Sequence, residues 1–218
     1  MSIIATMTFP RSFFSSHRPI LYFIYDSGLN DERRIKDIVE SAIENGVDVI
    51  QYRHKSTCDD KTYQTARQLK QIIANRVPFL VNDHVELAQK IDADGVHIGQ
   101  GDMKVSEARS IIGYSKVLGL TAFTRAHMAA FDQNDVDYVG TGPFYPTLTD
   151  KGKPVLGAQG FAEIAACSPV PVVGIGGITP DNARHVIDAG ANGIAVMRGI
   201  SGAEDIAASV RAYKQALS

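Results

Sequence analysis

The sequence predicts a single (β/α)8 barrel, that is, a TIM barrel with eight parallel strands, and three observations support this. Eight short apolar runs recur along the 218 residues, and the segments between them have helical periodicity. Alternation of strands and helices indicates a parallel sheet with right-handed crossovers, and eight such units can close on themselves. A weak internal repeat at every second predicted strand agrees with closure. Such barrels typically need roughly 250 residues, so this one would be compact.

The predicted strands are the apolar runs themselves. They cover residues 20–24, 47–52, 79–81, 95–98, 117–120, 138–140, 170–175 and 193–196. Between the first two runs, Ile35, Ile38, Val39, Ala42 and Ile43 follow a period of about 3.6 residues. That period is typical of an amphipathic helix packed on a sheet.

Helix boundaries are marked as well. Thr179 is predicted to cap a helix whose first turn holds Pro180 and Asp181. Gly46 and Gly190 stand where helices should end. These signals place the helices between the predicted strands.

The internal repeat places an Asp or Asn at the start of the second, fourth, sixth and eighth predicted strands. The residues are Asp48, Asp94, Asp137 and Asn192, at successive intervals of 46, 43 and 55 residues. Each interval is about two βα units, as repetition of a quarter of the barrel would give. The alternative is that these residues are ordinary turn formers.

Composition and charge narrow the class of protein. The chain has 44% hydrophobic and 21% charged residues, which fits a globular domain. Its 22 basic and 24 acidic side chains give a net charge of −2, so we expect no broad positive face and no nucleic-acid partner. No apolar stretch approaches the roughly 20 residues of a membrane-spanning helix, so we expect a soluble protein with no membrane partner.

The cysteines and the N-terminal segment bear on location and domain organisation. Cys58 and Cys167 lie outside any paired-cysteine spacing, so the sequence indicates neither a disulfide framework nor a zinc site. A reducing cytoplasm fits this usage. Residues 1–18 lack the pattern of a secretory signal and are expected to be a flexible lead-in to a barrel domain over residues 19–218. The sequence leaves open whether the chain forms a homo-oligomer.

The second predicted strand ends in two basic side chains. Residues that follow the strands of such a barrel face the active site. Alternation points Gln51, Arg53 and Lys55 to one side, so two cations are expected to converge there.

Carboxylates follow the third and fourth predicted strands. Asp83 and Asp102 offer oxygen ligands that suit Mg²⁺ held by one or two carboxylates together with substrate phosphate oxygens. The alternative is that Asn82 and Asp83 cap a helix and that Asp102 belongs to a turn. His97, in the fourth predicted strand, is either a residue of the rim or a histidine packed in the core.

Three further loops carry candidate phosphate-binding features. Gly176 and Gly177 follow the seventh predicted strand, and Met197 and Arg198 follow the eighth, which is where these barrels commonly bind phosphate. A tight turn is the alternative for the glycine pair. After the sixth strand comes the longest polar loop, residues 140–154, whose hydroxyls and two lysines are expected to close over bound phosphates as a lid, unless it is only a solvated loop.

Taken together, the segments that follow the strands resemble the thiamine phosphate synthase family. The resemblance runs over about residues 21–200, and the motifs that carry it are QYRHK (51–55), VND (81–83), GVHIGQGD (95–102), GPFYPTLT (142–149) and GIGGI (174–178). It implies that 4-amino-5-hydroxymethyl-2-methylpyrimidine diphosphate and 4-methyl-5-(2-hydroxyethyl)thiazole phosphate condense to thiamine phosphate and diphosphate. The implied reaction is dissociative, so it depends on stabilising the leaving diphosphate and on positioning two rings.

The resemblance also implies roles for individual residues. Arg53, Lys55 and Asn82 would bind the diphosphate, and Asp83 and Asp102 would hold Mg²⁺. The other substrate-binding candidates are Gln51 at the pyrimidine, His97 and Thr121 near it, and Thr147, Thr149, Gly177, Met197 and Arg198 at the thiazole phosphate.

Three positions depart from the family pattern. Thr121 stands where the family commonly has serine, which keeps the hydroxyl. In the sixth loop Asp150 takes the place of a lysine, with Lys151 next and Lys153 beyond, and we assign the diphosphate contact to Lys151. Arg198 replaces a small hydroxyl residue, and its guanidinium is expected to contact phosphate in bidentate fashion rather than to crowd the site.

Two other functions are compatible with the same barrel. One is a thiazole tautomerase-like paralogue, which would need neither Mg²⁺ nor the cluster of Arg53, Lys55, Asn82 and the two aspartates. The other is a non-catalytic barrel that senses a phosphate of the thiamine pathway, which the departures in the sixth and eighth loops make conceivable. Turnover with both substrates distinguishes these functions from a synthase.

Overall fold

The computed structural model describes residues 9–16, 18–30, 32–149 and 154–218. Within these residues eight parallel strands pair in chain order, and the eighth pairs with the first to close a barrel. The strands are β1 (Ile20–Asp26), β2 (Val49–Arg53), β3 (Phe79–Asn82), β4 (Gly95–Ile98), β5 (Val117–Thr121), β6 (Tyr138–Thr141), β7 (Val172–Ile175) and β8 (Gly193–Val196). The predicted (β/α)8 barrel and its eight strands are confirmed.

Helices connect the strands and cover the outside of the barrel. In the described ranges they are α1 (Ile35–Glu44), α2 (Asp60–Ile73), α3 (Val85–Lys90), α4 (Val105–Ile112), α5 (Arg125–Ala129), α6 (Gly157–Ala165), α7 (Ala183–Asp188), α8 (Arg198–Ser201) and α9 (Ile206–Ala216). The predicted face of α1 is confirmed, since Ile35, Ile38, Val39 and Ala42 are buried and Ile43 packs against the same core. None of the helices so described is long and apolar enough to cross a membrane.

Helix ends agree with the sequence signals except at Thr179. Gly46 and Gly190, just beyond the ends of α1 and α7, have φ angles of +111° and +103°, which glycine adopts readily. The predicted cap at Thr179 is wrong, because α7 begins only at Ala183. The roles are reversed: the side chain of Asn182 accepts a hydrogen bond of 2.8 Å from the Thr179 backbone N–H.

The internal repeat corresponds to a repeated hydrogen-bond arrangement at the N-terminal end of the barrel. At each of its four positions a side-chain oxygen accepts a backbone N–H from the preceding strand, at 2.9 Å for Asp48–Leu21, 2.9 Å for Asp94–Phe79, 2.7 Å for Asp137–Leu118 and 2.9 Å for Asn192–Val172. In every pair the backbone N–H of the Asp or Asn returns a bond to the partner's carbonyl oxygen. The four residues therefore link odd and even strands in the same way, beyond ordinary turn chemistry.

Apolar side chains fill the N-terminal half of the barrel interior. The cluster consists of Phe14, Ile20, Tyr22, Ile24, Val49, Leu80, Val117, Tyr138, Val173 and Ala195. Phe14 comes from a 3-10 helix, Arg11–Ser15, that precedes β1. Its side chain is 0% exposed and its ring stacks on that of Tyr138, with 3.9 Å between centroids. This packing closes the N-terminal end, so the open space of the interior lies at the opposite, carboxyl end.

Residues 1–8 and His17, which belong to the expected lead-in, lie outside the described residues. The division into a flexible segment of residues 1–18 and a barrel of residues 19–218 stays a prediction. Cys58 and Cys167 are both free and exposed, as the sequence indicated.

Asp94→Ala tests whether the repeated hydrogen bond stabilises the barrel. The variant leaves the backbone N–H of Phe79 without its acceptor, and we expect the free energy of unfolding to fall by about 1–3 kcal/mol. Asp188→Ala is the control, because it removes an exposed pair with Arg184 and should cost less than about 1 kcal/mol. Urea denaturation of both variants measures the difference, and equal losses would show that the repeat carries no special stability.

Candidate active site

One cavity of about 800 Å³ opens at the carboxyl end of the barrel. It is lined by every predicted site residue that the structure describes, namely Gln51, Arg53, Lys55, Asn82, Asp83, His97, Asp102, Thr121, Thr147, Thr149, Gly177, Met197 and Arg198. Lys151, the remaining candidate, lies outside the described residues, as do Asp150 and Lys153. Parallel strands bring all their carboxyl ends to one rim, which is why residues so distant in the chain share one cavity.

An ion pair fixes the orientation of Arg53. Register pairs Asp26 of β1 with Arg53 of β2, and the guanidinium contacts the Asp26 carboxylate directly. Asp26 is only 5% exposed, and its other oxygen accepts the Gly28 backbone N–H at 2.8 Å. Sequence reasoning missed Asp26, although an acidic residue at the end of the first apolar run was a visible signal. The guanidinium is therefore held in place before any ligand binds.

A second ion pair connects strands β2 and β3. Lys55 Nζ lies 2.8 Å from Asp83 Oδ2. Asp83 has a φ of +64°, a region that costs a non-glycine residue roughly 1–3 kcal/mol and that is often found at functional sites. Its backbone N–H donates to the His97 carbonyl at 2.8 Å. Asp83 therefore does not cap α3, whose N-cap residue is His84.

Asp102 brings a second carboxylate to Asp83. Its Oδ2 accepts the Gly99 backbone N–H at 2.7 Å, so it does close a turn, and its carboxyl group also lies within hydrogen-bonding reach of Asp83. Burial raises the pKa of Asp102 above its ordinary value, and the nearby Asp83 raises it further, against the bond from Gly99. Two carboxylates held this close repel each other when both are ionised, so the pair is suited to a bound cation.

The donor set agrees with a divalent cation that is shared with a ligand. No group of three or more His, Cys, Asp or Glu side chains is gathered anywhere in the described ranges. Mg²⁺ commonly uses one or two carboxylates and takes its other ligands from water and substrate phosphates. Asp83 and Asp102 therefore fit Mg²⁺ as the protein's part of such a site.

Asn82 presents a buried donor to the same side of the cavity. The residue is 8% exposed, and its side-chain Nδ2 has no hydrogen-bond partner among the described residues. Leaving such a group unsatisfied costs about 1–3 kcal/mol. With Arg53 and Lys55 nearby, an anionic oxygen is the ligand group that would satisfy this donor.

A chain of hydrogen bonds crosses the floor of the cavity. Gln51 Nε2 donates to the Tyr22 hydroxyl at 2.8 Å, which lies 2.9 Å from the Tyr138 hydroxyl. Tyr138 lies 2.9 Å from His97 Nδ1, and His97 Nε2 lies 3.0 Å from Thr121 Oγ1. Burial lowers the pKa of His97 to about 4, so the ring is neutral at neutral pH.

The two tyrosines of this chain were not predicted. Tyr22 and Tyr138 alternate with residues on the outer face of strands that are apolar on both sides, so the sequence does not show which face is the interior. His97 combines the two expected possibilities, because it lines the cavity and has both ring nitrogens engaged.

Glycines line the opposite wall. Gly176 and Gly177 have φ angles of +100° and +66°. A Cβ on Gly176 would lie 2.6 Å from Pro143 Cβ, and one on Gly177 would lie 2.5 Å from the Pro146 carbonyl oxygen. The pair is therefore required both by its backbone conformation and by close approach of the loop after β6.

Arg198 joins this wall to the loop after β6. Its Nε lies 3.3 Å from Thr149 Oγ1, and the Thr149 backbone N–H lies 3.3 Å from Thr147 Oγ1. Met197 precedes Arg198 at the start of α8. Backbone, hydroxyl and guanidinium donors thus meet on the side of the cavity that faces away from Lys55 and Asp83 along the rim.

Gly177→Ala tests the fit of this wall. A methyl group there would both meet Pro146 and strain the backbone, so we expect the free energy of unfolding to fall by about 1–3 kcal/mol. Gly160→Ala in α6 is the control, since its Cβ would find only ordinary contact, 3.6 Å from Leu156 Cβ. Thermal denaturation should show a lower Tm for the first variant only; an unchanged Tm for Gly177→Ala would mean that the loop has room to move.

Comparison with known proteins agrees with this site. The family model described as thiamine monophosphate synthase matches residues 21–200. The thiamine-phosphate synthase of Psychrobacter sp. (strain PRwf-1) is 41% identical over 190 residues, which are 85% of this chain and 89% of that protein. The thiamine-phosphate synthase of Chloroflexus aurantiacus is 38% identical over 201 residues, 91% of this chain and 92% of that protein.

A solved structure gives the same result. The thiamine phosphate pyrophosphorylase of Pyrococcus furiosus superimposes with a TM-score of 0.82 at 31% sequence identity, over 95% of this chain and 96% of that one. Fold, sequence and the residues gathered at the cavity therefore agree, and the chain belongs to the thiamine monophosphate synthase family of enzymes.

Proposed function

We propose that the chain condenses 4-amino-5-hydroxymethyl-2-methylpyrimidine diphosphate with 4-methyl-5-(2-hydroxyethyl)thiazole phosphate, releasing diphosphate and thiamine phosphate. One observation carries this proposal. Two cations, a buried amide donor without a partner and a pair of carboxylates gather on one side of a single cavity. A diphosphate with a divalent cation needs this combination. The names of the relatives, thiamine-phosphate synthase, agree with it.

The proposed reaction breaks a carbon–oxygen bond before it forms a carbon–nitrogen bond. The electron pair of the breaking bond leaves with the diphosphate, and a pyrimidine-methyl cation remains. The lone pair of the thiazole nitrogen then forms the new bond. Catalysis of such a step needs charge stabilisation at the leaving group and two correctly placed rings, and no nucleophilic side chain.

Arg53, Lys55 and Asn82 would stabilise the leaving diphosphate. Arg53 is already oriented by Asp26, so its guanidinium need not reorganise when negative charge develops. Lys55 is paired with Asp83 and can turn to the phosphate. We also assign a diphosphate contact to Lys151.

Asp83 and Asp102 would hold Mg²⁺ beside these donors. When bound, the ion would neutralise the negative charge of the diphosphate oxygens, as divalent cations do in phosphate chemistry. The chain's own part is to keep two carboxylates together at the rim.

The two rings would occupy the floor and the opposite wall of the cavity. Gln51 would hydrogen-bond the pyrimidine, with His97 and Thr121 alongside. A neutral His97 adds no positive charge next to the cation that forms. Thr147, Thr149, Gly177, Met197 and Arg198 would hold the thiazole phosphate, and the last of these carries two further guanidinium nitrogens for a bidentate contact.

The two competing functions are a tautomerase-like paralogue and a phosphate sensor. Both would bind a thiamine-pathway phosphate without joining two substrates. The cluster of Lys55, Asn82, Asp83 and Asp102 favours the synthase, because neither alternative has a use for a diphosphate site with a cation.

Turnover with both substrates, with and without Mg²⁺, is the decisive assay. Thiamine phosphate should form only when the metal and both substrates are present. Asp83→Ala and Asp102→Ala should each lower kcat/KM by about 100-fold or more, as expected when one electrostatic contact to the leaving group is lost. Asp188→Ala, an exposed residue of α7, is the matched control and should keep wild-type activity. Wild-type rates in both Asp83→Ala and Asp102→Ala would reject the metal assignment.

Arg198→Ala tests the assignment of the thiazole phosphate. Loss of a charge-assisted contact is worth about 1.5–3 kcal/mol, so we expect the KM for the thiazole phosphate to rise at least about tenfold while the KM for the pyrimidine diphosphate is unchanged. Arg184→Ala on the outside of α7 is the control and should alter neither constant. A rise in the KM for the pyrimidine diphosphate instead would place Arg198 at the other substrate.

A further inference from the structure

We infer that Tyr138, held from the N-terminal end of the barrel by Phe14, is a positioning residue that sets the hydrogen-bonding direction of Gln51 and His97 at the cavity floor. Its role in catalysis rests on the proposed function, in which the pyrimidine ring lies on Gln51. The inference adds that the floor reads this ring as a unit, through a continuous hydrogen-bond chain, rather than through Gln51 alone.

The first step is the central position of Tyr138 in that chain. Its hydroxyl lies 2.9 Å from the Tyr22 hydroxyl on one side and 2.9 Å from His97 Nδ1 on the other. Tyr22 continues the chain to Gln51, and His97 continues it to Thr121. Burial raises the pKa of Tyr138 well above its ordinary value, so the hydroxyl keeps its single proton. Every polar contact between the two sides of the floor chain therefore passes through this one hydroxyl.

The second step follows from counting protons. Gln51 Nε2 donates to Tyr22, so the Tyr22 proton is left for Tyr138, and the Tyr138 proton is left for His97 Nδ1. A neutral imidazole has one N–H, which must then lie on Nε2 and donate to Thr121 Oγ1. Reversing any one bond requires reversing all of them.

This coupling has a consequence at each end of the chain. With Nε2 of Gln51 directed at Tyr22, the carbonyl oxygen Oε1 is the amide atom left to accept a bond from an amino group of a ligand. At the other end, Thr121 Oγ1 accepts from His97, so its own proton is left for donation. The floor thus offers one acceptor and one donor, as a heterocycle with an amino group beside a ring nitrogen requires.

The third step is the fit of the Tyr138 ring. On one face it stacks on Phe14, with an interplanar angle of 14°, and its neighbour on the other side is the His97 ring at 5.4 Å. Gly119 leaves the space for both rings, because a Cβ there would lie 2.3 Å from Tyr138 Cζ and 2.5 Å from His97 Nδ1. The ring therefore has little freedom to move its hydroxyl out of the chain.

The fourth step links this ring to the segment that precedes β1. Arg11 lies three residues before Phe14 in the same 3-10 helix, and its Nε is 2.5 Å from Asp137 Oδ1, next to Tyr138. Asp137 is fixed in turn by Arg109 at 3.0 Å. The helix thus contacts two consecutive residues of the chain, one through charge and one through an aromatic ring, which makes it a support for the floor from below.

Tyr138→Phe tests the inference, because it keeps the ring on Phe14 and removes only the hydroxyl. In the full-length protein we expect the KM for the pyrimidine diphosphate to rise about fivefold to tenfold, the worth of one net hydrogen bond. The KM for the thiazole phosphate and the inhibition constant of Mg²⁺–diphosphate, which lacks the ring, should stay within about twofold. A merely structural role would move all three constants together, and that result would overturn the inference, as would three unchanged constants.

A second readout needs no substrate and so is independent of the proposed function. The ¹⁵N chemical shifts of the His97 ring distinguish a protonated nitrogen from a bare one. Wild-type protein should show the proton on Nε2, and Tyr138→Phe should show a mixture of both neutral forms. A proton on Nδ1 in the wild type, or an identical spectrum in the variant, would overturn the inference even if turnover occurs as proposed.

Two further variants complete the design. Tyr114→Phe is the matched control, because Tyr114 also loses a hydroxyl bond, to Asp135 at 2.8 Å, but lies outside the cavity. It should leave the kinetic constants and the His97 spectrum unchanged. Phe14→Leu keeps an apolar side chain below Tyr138 and loses the ring stacking. It should reproduce the spectral change of Tyr138→Phe in a folded protein, and a wild-type spectrum would remove Phe14 from the inference.

Discussion

Closure of eight parallel strands is the constraint on which the rest of this molecule depends. Because every strand runs in the same direction around the barrel, the residues after β2, β3 and β4 meet those after β6, β7 and β8 across one opening. No local interaction would bring Lys55 within 2.8 Å of Asp83, or Arg198 within 3.3 Å of Thr149. The four repeated side-chain bonds at the N-terminal end and the Phe14 plug support the same closure from the opposite side.

The charges at the opening are arranged so that each has a partner before a ligand arrives. Arg53 has Asp26 and Lys55 has Asp83, while Asp102 is held by the Gly99 backbone. A buried charge without a partner would be costly, so such pairing is the condition for keeping the residues in a cavity. The cost that remains is concentrated at the pair of carboxylates and at the unpartnered amide of the neighbouring strand end. A diphosphate with a divalent cation would relieve both, which is the physical basis of the proposed function.

The floor of the cavity works by a different principle from the rim. There the groups are neutral, buried and connected, so orientation rather than charge is what they offer to a ligand. Tyr22 and Tyr138 come from opposite sides of the barrel, and their contact lets an aromatic support below the floor influence the amide and imidazole above it. The site therefore combines an electrostatic half, suited to a leaving diphosphate, with a hydrogen-bonding half, suited to a heterocycle.

The sequence by itself determined the number of strands, their approximate limits and the residues that follow them. Hydrophobic periodicity and strand alternation are local properties, and a parallel barrel converts position along each strand into position at the rim, so Gln51, Arg53 and Asp102 could be assigned to one opening in advance. What only the tertiary structure decided are the partnerships across the barrel. The hydroxyl contact between Tyr22 and Tyr138 spans 116 residues of chain, and strands that are apolar on both faces do not reveal which side chains point inward. Such contacts depend on the closed geometry of the whole barrel, which no short segment encodes.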